Sequence, residues 1–265
     1  GTYNFAASVT ITANKPILLS QYGAKIVPAA SVTAYKISQG NGGTIIGAGI
    51  NGLWIVAASV NGQVGVAFED TDRAWLHDFR IENCATGLRF HSNAASAFAE
   101  GCSVRNGLFE ACTKGIAFDT TSGTGSFGET RLENIGINNC TTGIDMPASA
   151  NLYRSHWSGM SVWVRNNQTG WAIAATANLT GMFAQMGLED LGTPTAVTGI
   201  SVTGTPSGAA DGTAFLHLLF TGTFTNKVSG TLWRFEGMKN LTGQLVASSV
   251  IAAGGAGFLH TNRFA

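Results

Sequence analysis

Charge is scarce in this chain. Its 265 residues hold 15 Lys and Arg and 15 Asp and Glu, 11% in all, and the net charge is zero; a usual domain carries about a quarter charged residues. No basic stripe is present, so nucleic acid is not an expected partner. Four cysteines are too few for a disulfide framework in a chain this long. No Cys-x-x-Cys and no His at ligand spacing occurs, so neither a metal centre nor a cofactor is expected. The most apolar tract, Gln244 to Leu259, is broken by Ser and Gly and is too short to span a bilayer, so no membrane insertion is expected. The chain opens Gly1-Thr2-Tyr3 with no basic or apolar leader; Gly1 reads as a cloning remnant, and the chain as a piece of a longer one. Proline is rare, at 5 residues, and no segment shows sustained helical periodicity.

What is present is a repeat. Cys84, Cys112 and Cys140 are 28 residues apart, and each opens one phrase: Cys, two polar or small residues, Gly, then apolar, any, apolar. The Gly phrase recurs from Gly65, Gly87, Gly115, Gly143, Gly170 and Gly199, and more loosely from Gly230 and Gly257. Its alternation is that of a strand, and the Gly suits a tight turn. A second strand precedes it, with Phe79 and Ile81 before Gly87, Ile135 and Ile137 before Gly143, and Val162 and Val164 before Gly170. Leu76, Val104 and Leu132 share a further core offset.

Short strands at a fixed period mean stacked coils. Neither a Leu-x-x-Leu-x-Leu nor a Trp-Asp signature occurs, which removes the leucine-rich horseshoe and the propeller. The expected fold is all-β: a right-handed single-stranded parallel β-helix (solenoid) of roughly nine rungs of about 27 residues. Residues 1–52 read as entry cap and first rungs, 53–173 as the regular core, and 174–265 as a less regular continuation with insertions, such as Gly204 to Thr213, and a C-terminal cap. The three repeat cysteines read as a buried ladder of free thiols. Asn134, Asn138, Asn139, Asn166 and Asn167 fall near strand ends, where amide ladders or turn bonds are expected.

The run Ile11 to Gly52, with its segments Lys15 to Leu19, Gly23 to Val27 and Gly47 to Gly52, resembles the start of pectate-lyase-like right-handed β-helices of bacteriophage tailspikes and tail fibres. The phrases at Asn83-Cys84 and Asn139-Cys140 are similar to rungs of that class. The resemblance implies a homotrimer on the virion tail, extracellular, with other virion tail proteins and bacterial surface polysaccharide as partners. Some members cleave the glycan and others only bind it. The Asp-Asp and His-Gly signatures of pectin hydrolases are absent, as is the Gly-Gly-x-Gly-x-Asp calcium repeat.

Solenoid register predicts which polar residues cluster. Counting from each repeat Gly, the first and third residues point inward and the second and fourth outward. Glu69, His91 and Asp119 then fall on successive rungs, with Arg89 and Asp145 beside them. Glu69 and Asp119, about 9–10 Å apart by strand spacing, suit an inverting glycosidase, with His91, Arg89 and Asp145 as glycan ligands; the alternative is a salt-bridged outer ladder. Glu82 and Glu110 on adjacent rungs, about 5 Å apart, suit a retaining mechanism in which one pKa is raised. The alternative there is two solvent-facing glutamates, continued by Asn138 and Arg165. The loop acids Glu69, Asp70 and Asp72 either hold a cation or face solvent. Trp163 is expected outward, as a glycan platform or an interface residue, and Trp157 is a second candidate for glycan contact. Trp171 is expected in the core. Outward Trp163, Met160 and Ala117 need cover, which fits trimerisation. Three readings stay open: a glycan-recognising tail domain, a glycan depolymerase (hydrolase or lyase), and a structural spacer.

Overall fold

The computed structural model describes residues 1–12, 16–18, 24–38, 45–93, 98–121, 125–147, 150–165, 167–174, 176–191, 197–203, 215–221, 224, 226–229 and 235–240. The phrases at Gly230 and Gly257, the insertion from Gly204, the Gln244 to Leu259 tract and Asn166 lie outside them.

Among the described residues there are strands and no helix, and the strand pairings are parallel. One sheet takes the longer strand of each turn: Thr2–Phe5, Lys25–Pro28, Gly49–Val56, Trp75–Glu82, Ser103–Glu110, Arg131–Asn138, His156–Val164, Phe183–Asp190, Phe215–Thr221 and Phe235–Asn240, with Pro16–Leu18 beside Gly49–Val56. The shorter strands form the second: Val9–Ile11, Thr33–Ile37, Val64–Glu69, Thr86–Ser92, Lys114–Thr120, Thr142–Met146, Thr169–Ile173, Thr198–Val202 and Asn226–Ser229. Each strand pairs mainly with its counterpart one turn away, which makes the molecule a parallel β-solenoid. About six turns are regular, fewer than the nine expected. They run from Gly49–Val56 to Thr198–Val202; before them Lys25–Pro28 meets Gly49–Val56 at two residues, and after them Phe215–Thr221 pairs in register with Phe183–Asp190 before the register shifts against Phe235–Asn240.

Burial follows the alternation. Leu76, Val104, Leu132 and Trp157 form one inward ladder, and Ile81, Phe109, Ile137, Val162 and Leu188 another. On the short-strand sheet Phe68 meets Phe90 edge to face and Phe90 stacks on Phe118, with ring centroids 5.3 and 4.7 Å apart. Each such side chain stabilises the coil by about 1.5–3 kcal/mol through burial.

Three further ladders turn the chain, each built of residues with positive φ. The first is Gly52, Asp78, Asn106, Asn134 and Gly159, inside the long strands. The second is Asn83, Ala111 and Asn139, just before the cysteines. The third is Gly47, Arg73, Gly101, Glu129, Arg154 and Gly181, at the entry to the long strands. Gly, Asn and Asp dominate the first two because they tolerate the left-handed region best. Asn134 donates to Asn106 at 3.1 Å and Asn106 to Asp78 at 3.3 Å, an amide ladder on the surface.

The repeat glycines serve a different purpose from the turn expected of them. Gly65, Gly87, Gly115, Gly143 and Gly170 have no positive φ. Each instead faces the backbone carbonyl of the glycine one rung on, and a Cβ at Gly65, Gly87 or Gly115 would come within 2.6 Å of it. Ile81, Phe109, Ile137, Val162 and Leu188 close over the same positions. Cys84, Cys112 and Cys140 are buried and free, and each thiol faces the carbonyl two residues earlier at 3.5–3.6 Å. Cys102, outside the ladder, is buried and free too.

Candidate functional site

Glu69, His91 and Asp119 do occupy one ladder of the short-strand sheet, on three successive rungs. They form a network rather than an open patch, because Glu69 and His91 are 9% and 5% exposed. Lys36 pairs with Glu69 at 2.8 Å and Asn93 donates to it at 2.7 Å. Arg89 meets both Asp119 oxygens at 3.0 Å. His91 Nδ1 bonds Asp119, and its Nε2 lies 3.0 Å from Thr121 Oγ1. Burial raises the Asp119 carboxyl, but the bonds from His91 and Arg89 outweigh it and leave the group below its ordinary range. Glu69 is likewise raised by burial, and the bonds from Lys36 and Asn93 bring it below its ordinary range. An acid catalyst needs the opposite shift. Asp145 joins Lys114 at 2.5 Å on this face. Asp70 turns to Asn93, whose backbone N–H and amide donate to it at 2.9 Å. Among the described residues no group of three metal-ligating side chains occurs.

Glu82 and Glu110 are register partners, as expected, but Arg80 lies between them. Its Nε is 2.7 Å from Glu82 and its Nη2 2.9 Å from Glu110. The Trp54 indole donates to Glu82 at 2.9 Å and Asn138 to Glu110 at 3.1 Å. The guanidinium thus bridges the two like charges that a retaining pair leaves facing each other.

The next member of that ladder is Trp163, in place of the expected Arg165. Arg131–Asn138 pairs with His156–Val164 at a step of 25 residues, whereas the following short strands pair at 27. The turn through Arg165–Gln168 is therefore two residues longer than its predecessors, and offsets counted back from Gly170 slip by two. Trp157 consequently takes the inward place of Leu132 and is fully buried, which removes it from any glycan surface. Met160, expected outward, is buried for the same reason, and Ala117 is also covered, at 3% exposed. Trp163 does face outward. Its ring lies over Gly136, next to Leu108, and its Nε1 donates to Glu189 at 2.9 Å. Trp171 is in the core, as expected.

The same slip hid a further site. Arg131 and His156 are register partners on the outer face of the long-strand sheet. With Glu129, Glu133 and Arg154 they line a cleft of about 460 Å³. Glu129 and Arg154 belong to the third left-handed ladder, which sets them at the cleft's corner. Glu133 pairs with Arg105 at 2.9 Å. The His156 ring stacks on Phe183 at 4.9 Å and 18°, and Phe183 is 38% exposed. The sequence signal was the alternation Glu129, Arg131, Glu133, set against Arg154 and His156 at the shorter step of 25.

No family model, curated protein or solved structure matches this chain. The assignment of a function therefore rests on the residues themselves. Taken together, the long-strand face offers an exposed ring pair, an outward indole and a charged cleft. The short-strand face offers carboxylates already bound to cations.

Proposed function

We propose that this chain is a receptor-binding β-helix domain of a phage tailspike or tail fibre, which recognises bacterial surface polysaccharide on the outer face of its long-strand sheet. In this reading it works as a homotrimer on the virion, joined to other tail proteins. The observation that carries it is the cleft of about 460 Å³ beside the stacked His156 and Phe183 rings. Sugars present hydroxyls to charged side chains and an apolar ring face to aromatic ones, and this surface supplies both. Trp163, held flat by Gly136 and Glu189, gives a second platform further along the strands.

Cleavage of the glycan is the second reading. It rests on the Asp119 carboxylate, held ionised by Arg89 and buried His91 and so able to stabilise positive charge that develops on a sugar ring. The two readings separate in one experiment. The protein is incubated with capsule or lipopolysaccharide, and both retention and chain length are measured. Retention without shortening supports recognition alone. Shortening that is lost in Asp119→Asn and kept in Glu110→Gln supports cleavage at the His91 network. Failure to retain any host glycan leaves only a structural spacer.

A further inference from the structure

We propose that the cleft lined by Glu129, Arg131, Glu133, Arg154 and His156 takes an acidic sugar, with the sugar's anionic group held between Arg131 and Arg154. This rests on the glycan reading above and narrows it to one substrate class.

Arg73, Arg80, Arg89 and Arg105 each meet a carboxylate within ion-pair distance. Arg131 and Arg154, both exposed, meet none among the described residues. Of the two cleft carboxylates, Glu133 is already matched by Arg105 at 2.9 Å. What remains is two unmatched guanidinium groups against one unmatched carboxylate, Glu129. A cleft with that balance attracts an anion, and guanidinium forks suit carboxylate and phosphate oxygens.

Backbone strain points to the same place. At the corner occupied by Glu129 and Arg154, the rungs at Gly47, Gly101 and Gly181 use glycine, and Arg73 is the other non-glycine member of the ladder. Glu129 and Arg154 hold φ of 56° and 53°, where a non-glycine residue costs about 1–2 kcal/mol. The Arg154 stem lies 3.5 Å from where a Cβ on Gly181 would be, an ordinary contact, so glycine at Gly181 answers to its φ of +68°. Glu129 is then free to accept sugar hydroxyls, and the half-exposed Phe183 ring, stacked on His156, offers an apolar surface to the C–H groups of a sugar.

The test is calorimetric titration with three probes: an oligogalacturonate, the same oligosaccharide reduced at its carboxyls, and a glycerol-phosphate oligomer. Wild type is compared with Arg131→Gln, with Arg154→Asn, which keeps a residue tolerant of the left-handed region, and with Arg165→Gln as an exposed control outside the cleft. The expected result is binding of at least one acidic probe, about tenfold or more weaker in each cleft variant and unchanged in the control. Which acidic probe binds separates a carboxylate from a phosphate ligand. Equal binding of the reduced oligosaccharide overturns the acidic inference and leaves glycan recognition standing. Acidic binding unaffected by either cleft substitution also overturns it. Retention of host glycan with no response to any of the three probes counts against the cleft but not against recognition.

Discussion

The carbonyl oxygen of Gly143 lies 2.6 Å from the point that a Cβ on Gly115 would occupy. That contact recurs along the repeat and explains why the phrase keeps glycine without any left-handed turn. Gly115→Ala forces backbone against backbone, with Ile137 closing the other side at 2.9 Å. The expected loss is about 3 kcal/mol, the upper end for overpacking. Gly47→Ala is the control, because it has φ +71° and nothing within 4 Å; it loses about 1–2 kcal/mol from strain alone. Guanidinium midpoints rank the two, and equal losses contradict the tight glycine ladder.

Ala111 stands between Asn83 and Asn139 in a left-handed ladder, at φ 53°. It lacks the side chain that makes this conformation tolerable at its neighbours. Ala111→Asn or Ala111→Gly is expected to stabilise the fold by about 1 kcal/mol. A lower thermal midpoint in both variants contradicts the assignment of that ladder.

Acid acts on the His91 network. Asp119 and Glu69 are held below their ordinary range when folded, so the unfolded chain takes up protons first as pH falls. Their contribution is complete above the usual carboxylate range and drains away as pH drops from about 4 toward the lower folded values. Thermal midpoints between pH 7 and pH 3 are expected to fall more steeply in wild type than in Asp119→Asn. Parallel curves contradict the network.

All four thiols are buried. Burial keeps the four sulfurs from solvent and pushes Cys102 up to about 12. A thiol-reactive disulfide reagent at pH 8 is expected to titrate no cysteine in the folded protein and four after denaturation. Fast reaction of the folded protein, or fewer than four thiols after denaturation, contradicts the stacked ladder.

The fold was legible because a solenoid repeats its own contacts. Cys84, Cys112 and Cys140 at one spacing locate the turns, and the alternation after each Gly gives the inward face. Polar ladders were legible as far as the period held, so Glu69, His91 and Asp119 fell together, and so did Glu82 and Glu110. Two things were not legible. One is the cation that each carboxylate meets: Arg80 and Arg89 choose their partners by reach across rungs, which spacing does not encode. The other is a change of turn length. Two extra residues near Arg165–Gln168 moved Trp157 and Met160 into the core and brought His156 beside Arg131. A fixed count from Gly170 misses both.

The most direct test of the account is diffraction from crystals soaked with an oligosaccharide of a host polysaccharide that the domain retains. Sugar density is expected in the cleft, against Arg131, Arg154 and His156, on the outer face of the long strands. Ordered sugar bound elsewhere, with that cleft empty, contradicts it.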